Sequence, residues 1–233
     1  MTRAQFKIFL RASIPSANVA RIDNATLELL LDKAVRNVNN MGKVLTKSDY
    51  FNAAADVREY VITSEVPDFV LIGESGIWYN TGTAASPYYK ELEGCDKPYL
   101  NVKIPNWHVQ AAGNPLYAIV ESNRFTIHPK PSATLTDAFF LPDYVYAPTP
   151  MTADSHYPWS GSTTEIKQLE VLDDCIIAYC RWILGLSVGE DENKAGLITK
   201  KEYEETVTRT TQLLNRRPDF RSNRDFRLKG RMR

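Results

Sequence analysis

The sequence predicts an α+β protein: a small α-helical bundle built from the N- and C-terminal segments, an inserted antiparallel β-sandwich or meander, and a basic C-terminal arm. Three observations carry this reading. Apolar residues recur at helical spacing near both ends of the chain, while the middle switches to short β-branched and aromatic runs punctuated by Gly, Pro, Asn and Asp. The final stretch, residues 216–233, holds eight basic side chains against Asp219 and Asp225.

The 233 residues are 43% hydrophobic and 24% charged, which excludes global disorder and provides a sizeable core. The 28 basic and 28 acidic residues balance, but residues 1–215 hold 20 basic against 26 acidic, so a mildly acidic body carries a basic tail. The stretch MTRAQFKIFLRAS is too short and too charged for a signal peptide or membrane span, and the expected location is a cytoplasm. Cys95, Cys175 and Cys180 cannot build a disulfide framework and read as free thiols.

In chain order, residues 24–41 place Leu27, Leu30, Leu31, Ala34, Val35, Val38 and Met41 on one helical face, with Asn24 or Thr26 as cap and Gly42 as terminator. Strands are expected at 57–63, 70–72, 77–79, 99–104, 116–120, 125–128 and 138–146, and YAIVESNRFTIHP reads as a hairpin around Glu-Ser-Asn-Arg. Residues 147–161 are rich in Pro and Ser and read as a connector. A helix then opens on a possible capping box, Ser162 to Glu165, and runs through Leu169, Leu172 and Ile176 to Gly185 as the core of the bundle. The last helix spans 191–217 and stops at Pro218. The expected organisation is therefore 1–56 and 162–217 as bundle, 57–147 as inserted β-domain, 148–161 as connector and 218–233 as extended arm.

No pattern of catalytic chemistry emerges. His108, His128 and His156 lie in loop or strand-end contexts without a nucleophile signature, and neither phosphate-binding glycine motif is present. Cys175 and Cys180 stand five apart within a helix and read as core side chains; no Cys or His pair has zinc spacing. Asp173 and Asp174 point about 100° apart on a helix and read as a solvated or helix-pairing face. Catalytic, cofactor and metal residues are accordingly none. The aromatics Trp78, Tyr79, Tyr88, Tyr89 and Trp107 are candidates for contacts with neighbouring subunits or other partners, because Trp and Tyr anchor interfaces; the alternative is that most of them pack inside the sandwich.

The order of elements resembles the adaptor, or head-completion, proteins of tailed bacteriophages. What carries the resemblance is the helix ending in VRNVNNMG, the segment REYVITSEVPDFVLI and the hairpin YAIVESNRFTIHPKPSATLTDAFFLPDYVYAP. After these come Pro158-Trp159, the apolar IKQLEVLDDCIIAYCRWILGL and the polar KKEYEETVTRTTQLL. The run from Tyr60 to Phe69 is similar to the family's Tyr, apolar, Pro-Asp approach to its β-region, and FTIHPKP to the strand and Pro before its last long strand. The resemblance spans roughly residues 20–217, with a β-insertion around 80–115 larger than in the smallest members.

The resemblance implies a virion structural protein of the phage neck, a head-to-tail connector that is not an enzyme. It implies a homo-oligomeric, twelve-fold ring (a dodecamer) bound to the portal protein on one side and to tail or nozzle proteins on the other. Genomic DNA would pass transiently through its channel, with no membrane partner, and assembly would take place in the bacterial host cytoplasm. Family members grip the portal with C-terminal segments. That role would fall here on Arg216, Arg217, Phe220, Arg221, Arg224, Phe226, Arg227, Leu228, Lys229 and Arg231, whose interspersed Phe and Leu a purely electrostatic DNA tail would not need. The alternative reading is a nucleic-acid-binding module that acts through the same basic tail.

Overall fold

The computed structural model describes residues 1–13, 22–73, 75–83, 85–185 and 193–215, without the side chains of 13, 185, 193–199 and 215. Helices and sheets combine as an α+β protein in two compact units, Met1–Val44 with Pro148–Arg233, and Leu45–Ala147. Helices α1 (Arg3–Ser13) and α2 (Asn24–Gly42) are followed by β1 (Thr46–Ala53), β2 (Glu59–Val61) and a single helical turn, α3 (Ile62–Glu65). Strands β3 (Phe69–Ile72), β4 (Trp78–Asn80), β5 (Tyr89–Glu91) and β6 (Glu93–Gly94) precede α4 (Lys97–Lys103) and a 3₁₀ turn (Trp107–Val109). Strands β7 (Tyr117–Glu121), β8 (Arg124–His128) and β9 (Leu135–Tyr146) come next, then a 3₁₀ segment (Lys167–Leu172), α5 (Asp173–Gly185) and α6 (Asn193–Asn215).

In the helical unit, α2 packs against α1, α5 and α6, and α5 against α6. The i, i+3, i+4 stripe does what its spacing requires: Leu27, Leu30, Leu31, Ala34, Val35 and Val38 are buried. The cap is Asp23, one residue earlier than expected, and its carboxylate accepts from Thr26 N at 2.7 Å. Gly42 is the last helical residue, and Lys43 takes the left-handed conformation (φ 48°) that ends α2. Gly42 serves packing instead, since a Cβ there would stand 2.7 Å from Thr211 Cγ2.

Other expectations for this unit need correction. No capping box opens a long helix at Ser162: its hydroxyl accepts from Thr164 N, residues 167–172 form a 3₁₀ segment, and α5 begins only at Asp173. Residues 3–13 form a helix that buries Phe6 and Leu10. The 148–161 stretch is not a loose connector, because Met151 and Trp159 are buried. Arg3 Nη1 donates to Met151 O at 2.8 Å, and Arg3 N and Ala4 N donate to His156 O and Asp154 O. The ends 191–192 and 216–217 of the last expected helix lie outside the described residues.

In the β unit, one sheet has the order β1-β9-β4-β5 with β3 also on β9, and the other has the order β2-β8-β7-β6. Among the described strands the pairings are antiparallel except the two-residue β6–β7 contact, which is parallel. The sheets enclose an aromatic core. Phe51 stacks on Phe139 at 4.9 Å, Tyr60 on Phe125 at 5.1 Å, and Phe125 meets Phe139 edge-on at 5.3 Å. The β7–β8 hairpin forms as read, with Ser122 at φ 56° in its turn. Two assignments differ. Residues 46–53, given to the bundle, form β1 on β9, so the β unit begins at Leu45 rather than at 57. Residues 99–104, expected as a strand, belong mostly to α4, whose cap Asp96 accepts from Tyr99 N at 2.7 Å with a Pro in the first turn.

Candidate interaction surfaces

The residues of the proposed portal arm, 216–231, lie outside the described residues. The helix that leads to them is firmly held. Tyr203 of α6 is 1% exposed, stacks on Trp182 of α5 at 5.7 Å and donates to Asn37 of α2. Burial pushes its phenol far above the usual range.

The five aromatics singled out from the sequence separate into two groups. Tyr79 belongs to the core between the sheets, and Trp107 to a second cluster with Leu100 and Ile119, so neither is an exposed anchor. Both point inward because alternation along β4 and the cover formed by α4 put them there. Trp78, Tyr88 and Tyr89 reach the surface in differing degree, and Tyr88 is 70% exposed. Across the outer face of the five-stranded sheet, Tyr50 stands opposite Phe140, and Phe140 opposite Trp78. Tyr50 and Phe140 stack at 4.5 Å, and Tyr89 lies 5.7 and 5.6 Å from them. The row is pinned: Tyr89 donates to Asp137 O at 2.7 Å, Trp78 Nε1 to Ser75 O at 2.7 Å, and Asn80 Oδ1 accepts from Gly82 N and Tyr88 N. Tyr50 and Phe140 were not singled out from sequence; strict register with Trp78 was the signal that could have found them.

Other polar clusters are structural. His128 is 2% exposed between Trp107 and Tyr117, and its Nδ1 has no partner. Burial, with the nearby Arg58 charge, lowers its pKa. Arg58 donates to the carbonyls of His108 and Trp107, and its guanidinium lies 5.0 Å from the Trp107 ring. Lys7 bridges Glu28 at 2.9 Å and Asp154 at 2.6 Å, tying α1 to α2 and to the 148–161 segment. Asp173 is not on a solvated face. It is 6% exposed and accepts from the Met1 amine, and burial pushes its carboxyl up to about 6 against the pull of that amine.

Among the described residues, no three or more His, Cys, Asp or Glu side chains converge as metal ligands. Cys175 and Cys180 are buried, which raises both thiols and removes the thiolate that reactivity needs. A shallow groove between Asp32, Arg36, Pro148, Thr149, Pro150 and Pro158 has no histidine or cysteine in its lining. No described helix is long and apolar enough to cross a membrane.

What remains is a protein of faces: a helical unit that hands over to a basic segment, and a β unit with an exposed aromatic row, the anatomy of an assembly component. The chain belongs to the SU10 adaptor protein family, whose sequence profile matches residues 1–225, and this is a phage head-to-tail adaptor family. Membership implies a structural role in the virion and association with portal and tail components. No curated protein matches the chain.

Proposed function

We propose that this chain is the subunit of a twelve-fold adaptor ring in the phage neck, seated on the portal protein, bound below by tail or nozzle proteins, and lining the channel through which DNA leaves. Family membership over residues 1–225 is the observation that carries the reading. The charge distribution supports it. The unit Leu45–Ala147 has seven basic against twelve acidic residues, and a wall of that sign repels duplex phosphates instead of holding them. Residues 216–233 are the portal-docking arm, with Phe220, Phe226 and Leu228 as apolar anchors and the arginines set against acidic partner groups.

The test is reconstitution with purified portal, read by native mass and negative-stain imaging. The full chain is expected to add a ring to the portal, a chain ending at Asn215 to stay folded and fail to dock, and Phe220→Ala with Phe226→Ala to fail nearly as completely with every charge retained. Normal docking by the truncated chain would remove the arm assignment. A monomer that shifts oligonucleotides at physiological salt and ignores portal would favour the nucleic-acid module.

A further inference from the structure

We propose that the segment from Asp96 to Gln110 is a latched strap over the outer face of the four-stranded sheet, and that protonation of His128 beneath it releases the strap while the rest of the β unit stays folded. Alternation along β7 and β8 sends Ala118, Phe125 and Ile127 into the core between the sheets and puts Ile119 and His128 on the outer face. Both are buried there, under Leu100 of α4 and Trp107 of the 3₁₀ turn. The strap is tied at its two ends, where Cys95 N donates to Ala118 O at 3.0 Å and Gly113 N to Lys130 O at 2.8 Å. Between these ties, among the described residues, its backbone-to-backbone hydrogen bonds stay inside the segment, as from Ile104 N to Leu100 O and from Trp107 N to Ile104 O. Its apolar hold is the small cluster of Leu100, Trp107 and Ile119, separate from the main core. A segment with so little burial and no shared backbone ladder opens at lower cost than the sheets themselves.

The latch is Arg58. Its guanidinium donates to His108 O at 2.7 Å and to Trp107 O at 3.3 Å, and lies 5.0 Å from the Trp107 ring. The ion pairs that also tie the strap, Lys97 with Glu121 and Lys103 with Glu93, are exposed and hold weakly. At the latch two buried atoms have no partner, Nε of Arg58 and Nδ1 of His128. The imidazole meets Trp107 edge-on at 5.8 Å and stacks on Tyr117 at 6.3 Å. Arg58 is the charge that acts on it, and Glu59 acts on Arg58 in turn. Of the other ionisable groups nearby, His108 lies 6.1 Å from the Trp107 ring, Cys95 packs against the small cluster, and Lys103 sits 4.9 Å from the Tyr117 ring while bonded to Glu93 and Tyr99. A proton on Nδ1 sets a second cation beside Arg58 where burial already disfavours the charge on both, and opening the strap admits the water that solvates them. The closed strap therefore holds His128 neutral, and falling pH favours the open one.

The experiment is hydrogen exchange of the full chain, read by mass spectrometry at pH 7 and pH 4 with rates corrected for the intrinsic effect of pH. Amides of residues 100–107 are expected to lose protection by about tenfold or more on acidification, while those of β1 and β9 keep theirs. His128→Gln should remove this acid response, and Arg58→Gln should expose the strap already at pH 7. Loss of protection in β1 and β9 along with the strap means that the whole unit opens, and overturns the proposal. A strap that stays protected at pH 4 overturns it as well, as does one that opens equally in His128→Gln. Should His128→Gln leave β1 and β9 unprotected at pH 7, Arg58→Gln decides: an acid response as large as that of wild type overturns the proposal, and a diminished one upholds it.

Discussion

Tyr203 lies nearly parallel to Trp182, with ring centroids 5.7 Å apart and planes at 15°, and its hydroxyl reaches across to Asn37. One side chain thus joins α6 to α5 and α2 in the helix that runs on toward the arm. Tyr203→Ala is expected to cost ~3–5 kcal/mol through the cavity it leaves. Tyr203→Phe keeps the ring and strands the Asn37 carbonyl, a loss of ~1–3 kcal/mol. Denaturant melts of both variants check the order, and equal losses would place the energy in the hydroxyl rather than in packing.

Asp173 gives the helical unit a pH slope. With its folded carboxyl pushed up to about 6 from a reference of 3.8, the folded state holds this proton over a range in which the unfolded chain has released it. Its stabilising contribution is whole below pH 3.8 and is lost as pH rises through 6, an effect of about 3 kcal/mol for the complete shift. The thermal midpoint of wild type relative to Asp173→Asn should therefore fall between pH 4 and pH 7. A difference that is flat or rising over that interval would mean that the amine contact, not burial, controls the carboxyl.

His128 acts with the opposite sign in the β unit. Its pKa is lowered by burial and by Arg58, so its contribution is present above the ordinary value of 6.5 and is lost as pH falls through the folded value. Protonation would place a second cation beside Arg58 in a pocket where both Nδ1 of His128 and Nε of Arg58 have no partner. His128→Gln should be less stable than wild type at neutral pH and should lose less on acidification. Near-ultraviolet circular dichroism between pH 7 and pH 4 follows the Trp107 environment directly; parallel acid curves for the two proteins would count against the histidine.

These polar contacts were the part hidden from the sequence, and the reason is sequence distance. Asp173 meets Met1 across 172 residues and Lys7 meets Asp154 across 147, so no local pattern announces either pair. Periodicity, by contrast, gave α2 and the β7–β8 hairpin nearly to the residue, because the apolar stripe of the one and the tight turn of the other are local patterns. Strand β1, TKSDYFNA, escaped because only Phe51 and Ala53 are buried and the rest is polar. Helix α4 was misread from its aromatic and β-branched residues, although Asp96 and Pro98 carried the helix-start signal. The aromatic row was half legible: Trp78 and Tyr89 stood out by type, whereas Tyr50 and Phe140 joined them only through strand register.

Burial separates the aromatics experimentally as well as geometrically. Tyr79 is 5% exposed and packs on Phe139 at 5.2 Å, while Tyr88 is 70% exposed and held through its backbone N–H to Asn80 Oδ1. Tyr79→Ser removes a core ring and places a hydroxyl among apolar groups, so it is expected to cost ~3–5 kcal/mol and to reduce soluble yield. Tyr88→Ser leaves the backbone bond in place and removes only exposed area, a change within about 0.5 kcal/mol. Because Tyr88 is the most exposed aromatic near the row, the same variant should weaken ring assembly on portal while its melting curve overlays that of wild type. A Tyr88→Ser protein that assembles normally would confine the contact to Tyr50, Phe140, Trp78 and Tyr89; one that melts early would show that the 81–88 loop depends on that side chain for its fold.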